Sequence, residues 1–73
     1  MILHLQYRKP NGAWQVKALH DARSASRTLK ALRQRRQAAR LIDPNTNRTC
    51  GKVEQVTEKQ WTWWLDPHLW AKA

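Results

Sequence analysis

DARSASRTLKALRQRRQAAR, residues Asp21 to Arg40, decides how this 73-residue chain is read, because seven basic residues lie between Asp21 and Asp43 with no acidic one among them. Projected as a helix at ~100° per residue, Ala22, Ala25, Leu29 and Leu32 fall within an arc of roughly 80°, and Arg23, Arg27 and Lys30 gather on the opposite side. The pattern predicts one amphipathic helix with a cationic back. Asp21 is a good N-cap whose charge suits the positive end of the helix dipole, and Arg33, Arg35, Arg36 and Arg40 suit the negative end. No glycine marks the exit, and Arg36 projects onto the apolar face. The buried part therefore stops near Arg35, with the later basic residues overhanging the sheet, where their side chains reach a partner.

Working outward, Ile2 to Lys9 alternates, with Leu3, Leu5 and Tyr7 on one face and His4, Gln6 and Arg8 on the other, the period-2 pattern of a half-buried strand. Lys9-Pro10-Asn11-Gly12 supplies a turn. The second arm, Ala13 to Leu19, places Trp14, Val16 and Ala18 on one face, which is matched to the Leu3, Leu5, Tyr7 face beneath the helix. After the helix, Ala38 to Ile42 reads as a third strand, Asp43 to Asn47 as a loop, and Thr49 to Val56 as a weaker edge strand in which Gly51 marks a bulge or the end of the loop.

The tail changes character. Thr57-Glu58-Lys59-Gln60 matches a capping box, and Trp61, Trp64 and Leu65 follow at helical spacing. A short helix is expected there, with a strand as the alternative because Trp61-Thr62-Trp63 alternates. Asp66-Pro67 ends it and opens a final turn, His68 to Trp70. The expected fold is α+β: a small antiparallel sheet in the order ββαββ, packed against one amphipathic basic helix, with a short Trp-rich C-terminal helix. It forms a single small domain over 1–73, with a body at 1–56 and a Trp-rich segment at 57–73.

Fourteen Lys and Arg against five Asp and Glu give a formal charge of +9. That balance favours a polyanionic partner, either nucleic acid or a protein that has an acidic surface or carries nucleic acid. A merely solvated face normally mixes signs, and this helix does not. The chain has five Trp and no Phe, so Trp must supply core bulk. Core packing suits Trp14, Trp61 and Trp64, while Trp63 and Trp70 are the better candidates for an exposed contact. Arg23, Arg27, Lys30 and Arg33 suit phosphate contacts that position a nucleic acid without reading it.

The lone Cys50 excludes an internal disulfide and fits a reducing compartment. The opening residues have no basic stretch followed by a long apolar run, and no segment approaches the ~20 apolar residues of a membrane span. The expectation is a cytoplasmic, monomeric protein. Its carboxylates are scattered and its three His lie far apart. Thr49-Cys50-Gly51 is neither a phosphate loop nor a metal motif. Neither an enzyme nor a cofactor is expected.

With its arginine-rich central helix and the tail TEKQWTWWLDPHLW, the chain resembles the small phage-encoded regulators that bind bacterial RNA polymerase, as in a lytic Xanthomonas phage. The resemblance implies host cytoplasm, binding near the β′ amino-terminal region and RNA exit channel, inhibition of σ-dependent initiation, and antitermination. Nascent RNA or DNA would then meet the basic helix. Two other readings stay open: a direct nucleic-acid-binding module in which the helix, Arg36 included, neutralises phosphates, and an inhibitor of a nucleic-acid-handling host defence complex.

Overall fold

A hairpin begins the chain. Strand β1 (Leu3–Arg8) pairs antiparallel with β2 (Trp14–Leu19), from Leu3 opposite Leu19 to Arg8 opposite Trp14. The connection closes through Lys9 N–H to the Ala13 carbonyl (2.8 Å) and Gly12 N–H to the Lys9 carbonyl (2.9 Å). Gly12 there takes the positive φ of 88° that side chains resist. The computed structural model describes residues 2–9 and 11–71, with the backbone alone at Trp70 and Ala71.

Helix α1 (Ala22–Gln34) follows, and Asp21 caps it by accepting from Ser24 N–H at 2.6 Å. Its exit answers the missing glycine. Arg36 takes the left-handed conformation (φ 55°), Arg36 N–H bonds the Arg33 carbonyl (3.0 Å), and Gln37 N–H bonds the Leu32 carbonyl (2.9 Å). This is the paired closure that Gly usually completes at a helix C-terminus. The turn satisfies carbonyls that would otherwise be left open, and Arg36 bears the steric cost of that conformation.

Strands β3 (Ala39–Asp43), β4 (Arg48–Thr57) and β5 (Gln60–Leu65) complete one five-stranded antiparallel sheet in the order β2-β1-β3-β4-β5. Two expectations are corrected here. Residues 60–65 form a strand, not a helix, and the apparent capping box is the hairpin turn that joins β4 to it, with Thr57 opposite Gln60. A row of aromatic and β-branched side chains fits a pleated surface better than a helix, where they lose rotamer freedom. Because β5 pairs with β4, β4 is interior and the edges are β2 and β5. Helix α2 (His68–Ala71) starts where Asp66 Oδ1 accepts from His68 N–H at 2.9 Å.

The core lies between α1 and one face of the sheet. Leu3, Leu5, Leu29, Leu41 and Val53 are almost fully buried, joined by Leu19, Ala25, Leu32, Leu65 and Leu69. Gly51 lets the helix approach. A Cβ there would lie 3.0 Å from the Trp64 carbonyl oxygen, 3.1 Å from Leu29 Cδ1 and 3.2 Å from Leu41 Cδ2. The β3–β4 register shifts beside it, between Leu41 and Ile42, and this accommodates Cys50 as the extra residue of a bulge.

Candidate nucleic-acid interface

Cross-strand partners share a face, so the register sorts every side chain of the sheet. Leu3, Leu5, Leu19, Leu41, Val53 and Leu65 face α1. The opposite face has no helix over it among the described residues, and one continuous row crosses it. Val16 stands opposite Gln6, Gln6 opposite Arg40, Arg40 opposite Lys52, and Lys52 opposite Trp64. A second row holds Trp14 opposite Arg8 and Glu54 opposite Thr62.

This placement overturns the expected positions of the Trp residues. Trp14 is 69% exposed, Val16 58% and Trp64 43%, so neither Trp14 nor Trp64 is core. Trp14 pairs with Arg8 in place of Tyr7, which puts the apolar-looking set Trp14, Val16 and Ala18 on the helix-free side. Trp63, expected to be an exposed anchor, is half-buried against the core beside Trp61, with the Lys30 ammonium 5.4 Å from its ring centroid. The contact expected of Trp70 concerns a side chain outside those described.

The seven cations of the central stretch are all exposed but do not form one patch. Lys30 covers Trp63, and Arg33 Nε donates to the Trp61 carbonyl at 3.0 Å, so both lean toward β5. Arg27 and Arg35 line a shallow groove with Tyr7 and Lys17 on the other flank of the helix. Arg33 and Arg36 share a recess with Lys59 at the helix exit. Arg40 lies on the far side of the sheet, beside Lys52. The charge pattern groups Arg40 with the helix exit, whereas in β3 its cross-strand partners are Gln6 and Lys52, and Arg8 and Trp14 line the same hollow. Parity within β3 separates Arg40 from the buried Ala39 and Leu41, whereas Trp14 and Trp64 depend on the register of β2 and on residues 60–65 being a strand.

A hollow of about 650 Å³ opens on the helix-free face, lined by Gln6, Arg8, Trp14, Ala38, Arg40, Lys52 and Glu54. Ala38, just before β3, is among the smallest side chains in that lining. The Arg8 guanidinium lies 5.8 Å from the Trp14 ring centroid. Lys52 Nζ pairs with Glu54 Oε1 at 3.2 Å, with both side chains about half exposed. That is the one ion pair among the described residues, so the excess cations face solvent without a protein counter-charge.

Other chemistry is weaker. Cys50 and His68 line a small hollow with Asp43 and Asp66. Burial first, and then the Asp43 and Asp66 carboxylates, push the Cys50 thiol up, which disfavours the thiolate a nucleophile needs. Its Sγ donates to the Leu41 carbonyl at 3.5 Å. No cluster of three or more His, Cys, Asp or Glu suited to a metal is found among the described residues, and no described helix is long and apolar enough to cross a membrane. No family model, no curated protein and no solved structure matches this chain.

Proposed function

We propose that this chain is a non-enzymatic nucleic-acid-binding module that holds phosphates through its exposed arginines and lysines. One observation carries the reading: fourteen Lys and Arg meet five carboxylates, and a single ion pair forms among the described residues. A fold under no demand to bind a polyanion has no use for so much self-repulsion, whereas phosphates relieve it and release their own counterions. The test is affinity against salt for a labelled oligonucleotide. Each phosphate neutralised contributes a log-log slope of about 0.7 for a single strand or about 0.9 for a duplex. A total slope of several units is expected, and a flat response would remove the reading.

A second reading, the phage-type regulator of host RNA polymerase, is favoured by the exposure of Trp14 beside Arg8 and of Trp64 beside Lys52, since Trp and Arg are enriched at protein interface hot spots. It places the chain at the β′ amino-terminal region and RNA exit channel, where it blocks σ-dependent initiation and promotes antitermination. A pull-down from bacterial lysate with and without nuclease separates the two. Polymerase retained after nuclease supports the regulator, while loss of every partner supports direct binding to nucleic acid.

A further inference from the structure

We infer that the helix-free face of the sheet, and not the basic helix, is the specific contact, and that it takes single-stranded nucleic acid laid across the strands from Trp14 to Trp64. This rests on the nucleic-acid reading above. The face carries the two things a single strand requires. Arg8 and Arg40, neither of them in an ion pair among the described residues, supply positive charge along its middle, and Trp14 and Trp64 supply exposed rings at its two margins. Base stacking on such rings needs no particular sequence, because every base has a π-face. The hollow beside Trp14 offers a seat for one base against the indole, with Arg8 and Arg40 within the same lining for its phosphate. Glu54 also lines that hollow. It is paired with Lys52 at 3.2 Å, which leaves the two arginines as the phosphate ligands and gives the carboxylate a role as acceptor from a base amine.

Two competing occupants fit worse. A DNA major groove is about 12 Å wide and admits a helix or a two-stranded ribbon. Five strands about 4.8 Å apart set β2 and β5 roughly 19 Å from each other, so this face is too broad to enter the groove. A second copy of the chain would bring Arg8, Arg40 and Lys52 against their own counterparts at a net charge of +9 each, and like charges facing one another oppose association.

The experiment is fluorescence anisotropy of a labelled mixed-sequence single strand of about 12 nucleotides, within the size range of such sites, and of the matching duplex. The proteins are wild type, Trp14→Ala, Trp14→Phe, Arg40→Glu and the helix double variant Arg23→Glu/Arg27→Glu, each checked for folding by circular dichroism. The single strand is expected to bind at least tenfold tighter than the duplex. Trp14→Ala should weaken it roughly 5- to 150-fold, the loss of one stacked base, and Trp14→Phe should recover most of that loss. Arg40→Glu should weaken it more than the helix variant does. If the strand and duplex bind alike and only the helix variant loses affinity, the nucleic-acid reading stands and this inference is overturned. If neither nucleic acid binds wild type, both fall together.

Discussion

The two faces of the sheet are built from the same strands and in part from the same residue type, yet one is covered by α1 and the other is open. On the α1 side, Trp61 and Trp63 are half-buried against a core of leucines, and Lys30 lies over the Trp63 ring. On the other side, Trp14 and Trp64 project into solvent among Arg8, Arg40 and Lys52. Trp63 and Trp64 are adjacent in the chain. Neither composition nor hydropathy distinguishes them; the pleat does, because successive side chains of a strand point to opposite faces. In a domain this small, one sheet face holds the fold together and the other is left open to solvent.

The sharpest way to break that contrast is to remove a residue that only one face needs. Leu29 is fully buried between α1 and the sheet. Leu29→Ala is expected to cost about 2 to 5 kcal/mol, against a total stability of about 4 to 11 kcal/mol for a chain of this size. Urea denaturation should show a large loss of midpoint, and an unchanged midpoint would mean that the helix is not seated as described. Gly51→Ala attacks the same seam from the sheet side. With a backbone oxygen 3.0 Å from the new Cβ, the helix or β5 must shift, at a cost of about 1 to 3 kcal/mol. Because Leu29 Cδ1 is another atom in the way, Leu29→Ala/Gly51→Ala should cost less than the sum of the single changes.

The Trp residues give a more direct comparison. Trp63→Ala is expected to cost about 2 kcal/mol, below the loss for a fully buried Trp because the side chain is only partly buried. Trp14→Ala should change stability by about 0.5 kcal/mol or less, since it is 69% exposed and the Arg8 guanidinium over its ring is itself at the surface. Equal losses from the two would contradict the sorting of faces. A stable Trp14→Ala is also what makes the binding experiment readable, because any loss of affinity then belongs to the surface and not to the fold.

Much of this architecture is legible in the residues, and what is not has a single geometric cause. The alternation of β1, the Asn-Gly turn, the Asp21 cap and the Ala22, Ala25, Leu29, Leu32 stripe are all local signals, and each meets its expected element. The face of β2 is lost by one residue. Ending the turn at Gly12 sets Trp14 opposite Tyr7, inside; the actual connection runs to Ala13 and sets Trp14 opposite Arg8, outside. A one-residue slip inverts every side chain of a strand. The strand β5 is hidden for a different reason: Trp61, Trp64 and Leu65 fit a helical period while Trp61, Trp63 and Leu65 fit a strand period, and six residues are too few to separate them. Once β2 and β5 are misplaced, the proposed contact face cannot be drawn, because Trp14 and Trp64 are its two ends. The cations are the reverse case. Their exposure is evident from charge alone, but their division between the helix and the far face depends on where Arg40 falls in β3.

The smallest effect isolates the cap of the helix that separates the two faces. Ser24 N–H donates to Asp21 at 2.6 Å, and this bond, with a further one from the Ser24 side chain and the nearby positive charge of Arg23, holds the carboxyl below its ordinary value. A carboxyl lowered in the folded state stabilises the fold above its unfolded value and loses that contribution as pH falls through the folded one. Asp21→Asn keeps a good cap but has nothing to titrate there. Wild type should therefore lose more melting temperature than Asp21→Asn between about pH 5 and pH 2, while the two differ little near neutrality. The other four carboxylates, Asp43, Glu54, Glu58 and Asp66, are common to both proteins, so the difference between the two acid limbs reports Asp21 alone. Parallel limbs would show that the cap bond does not depend on the charge.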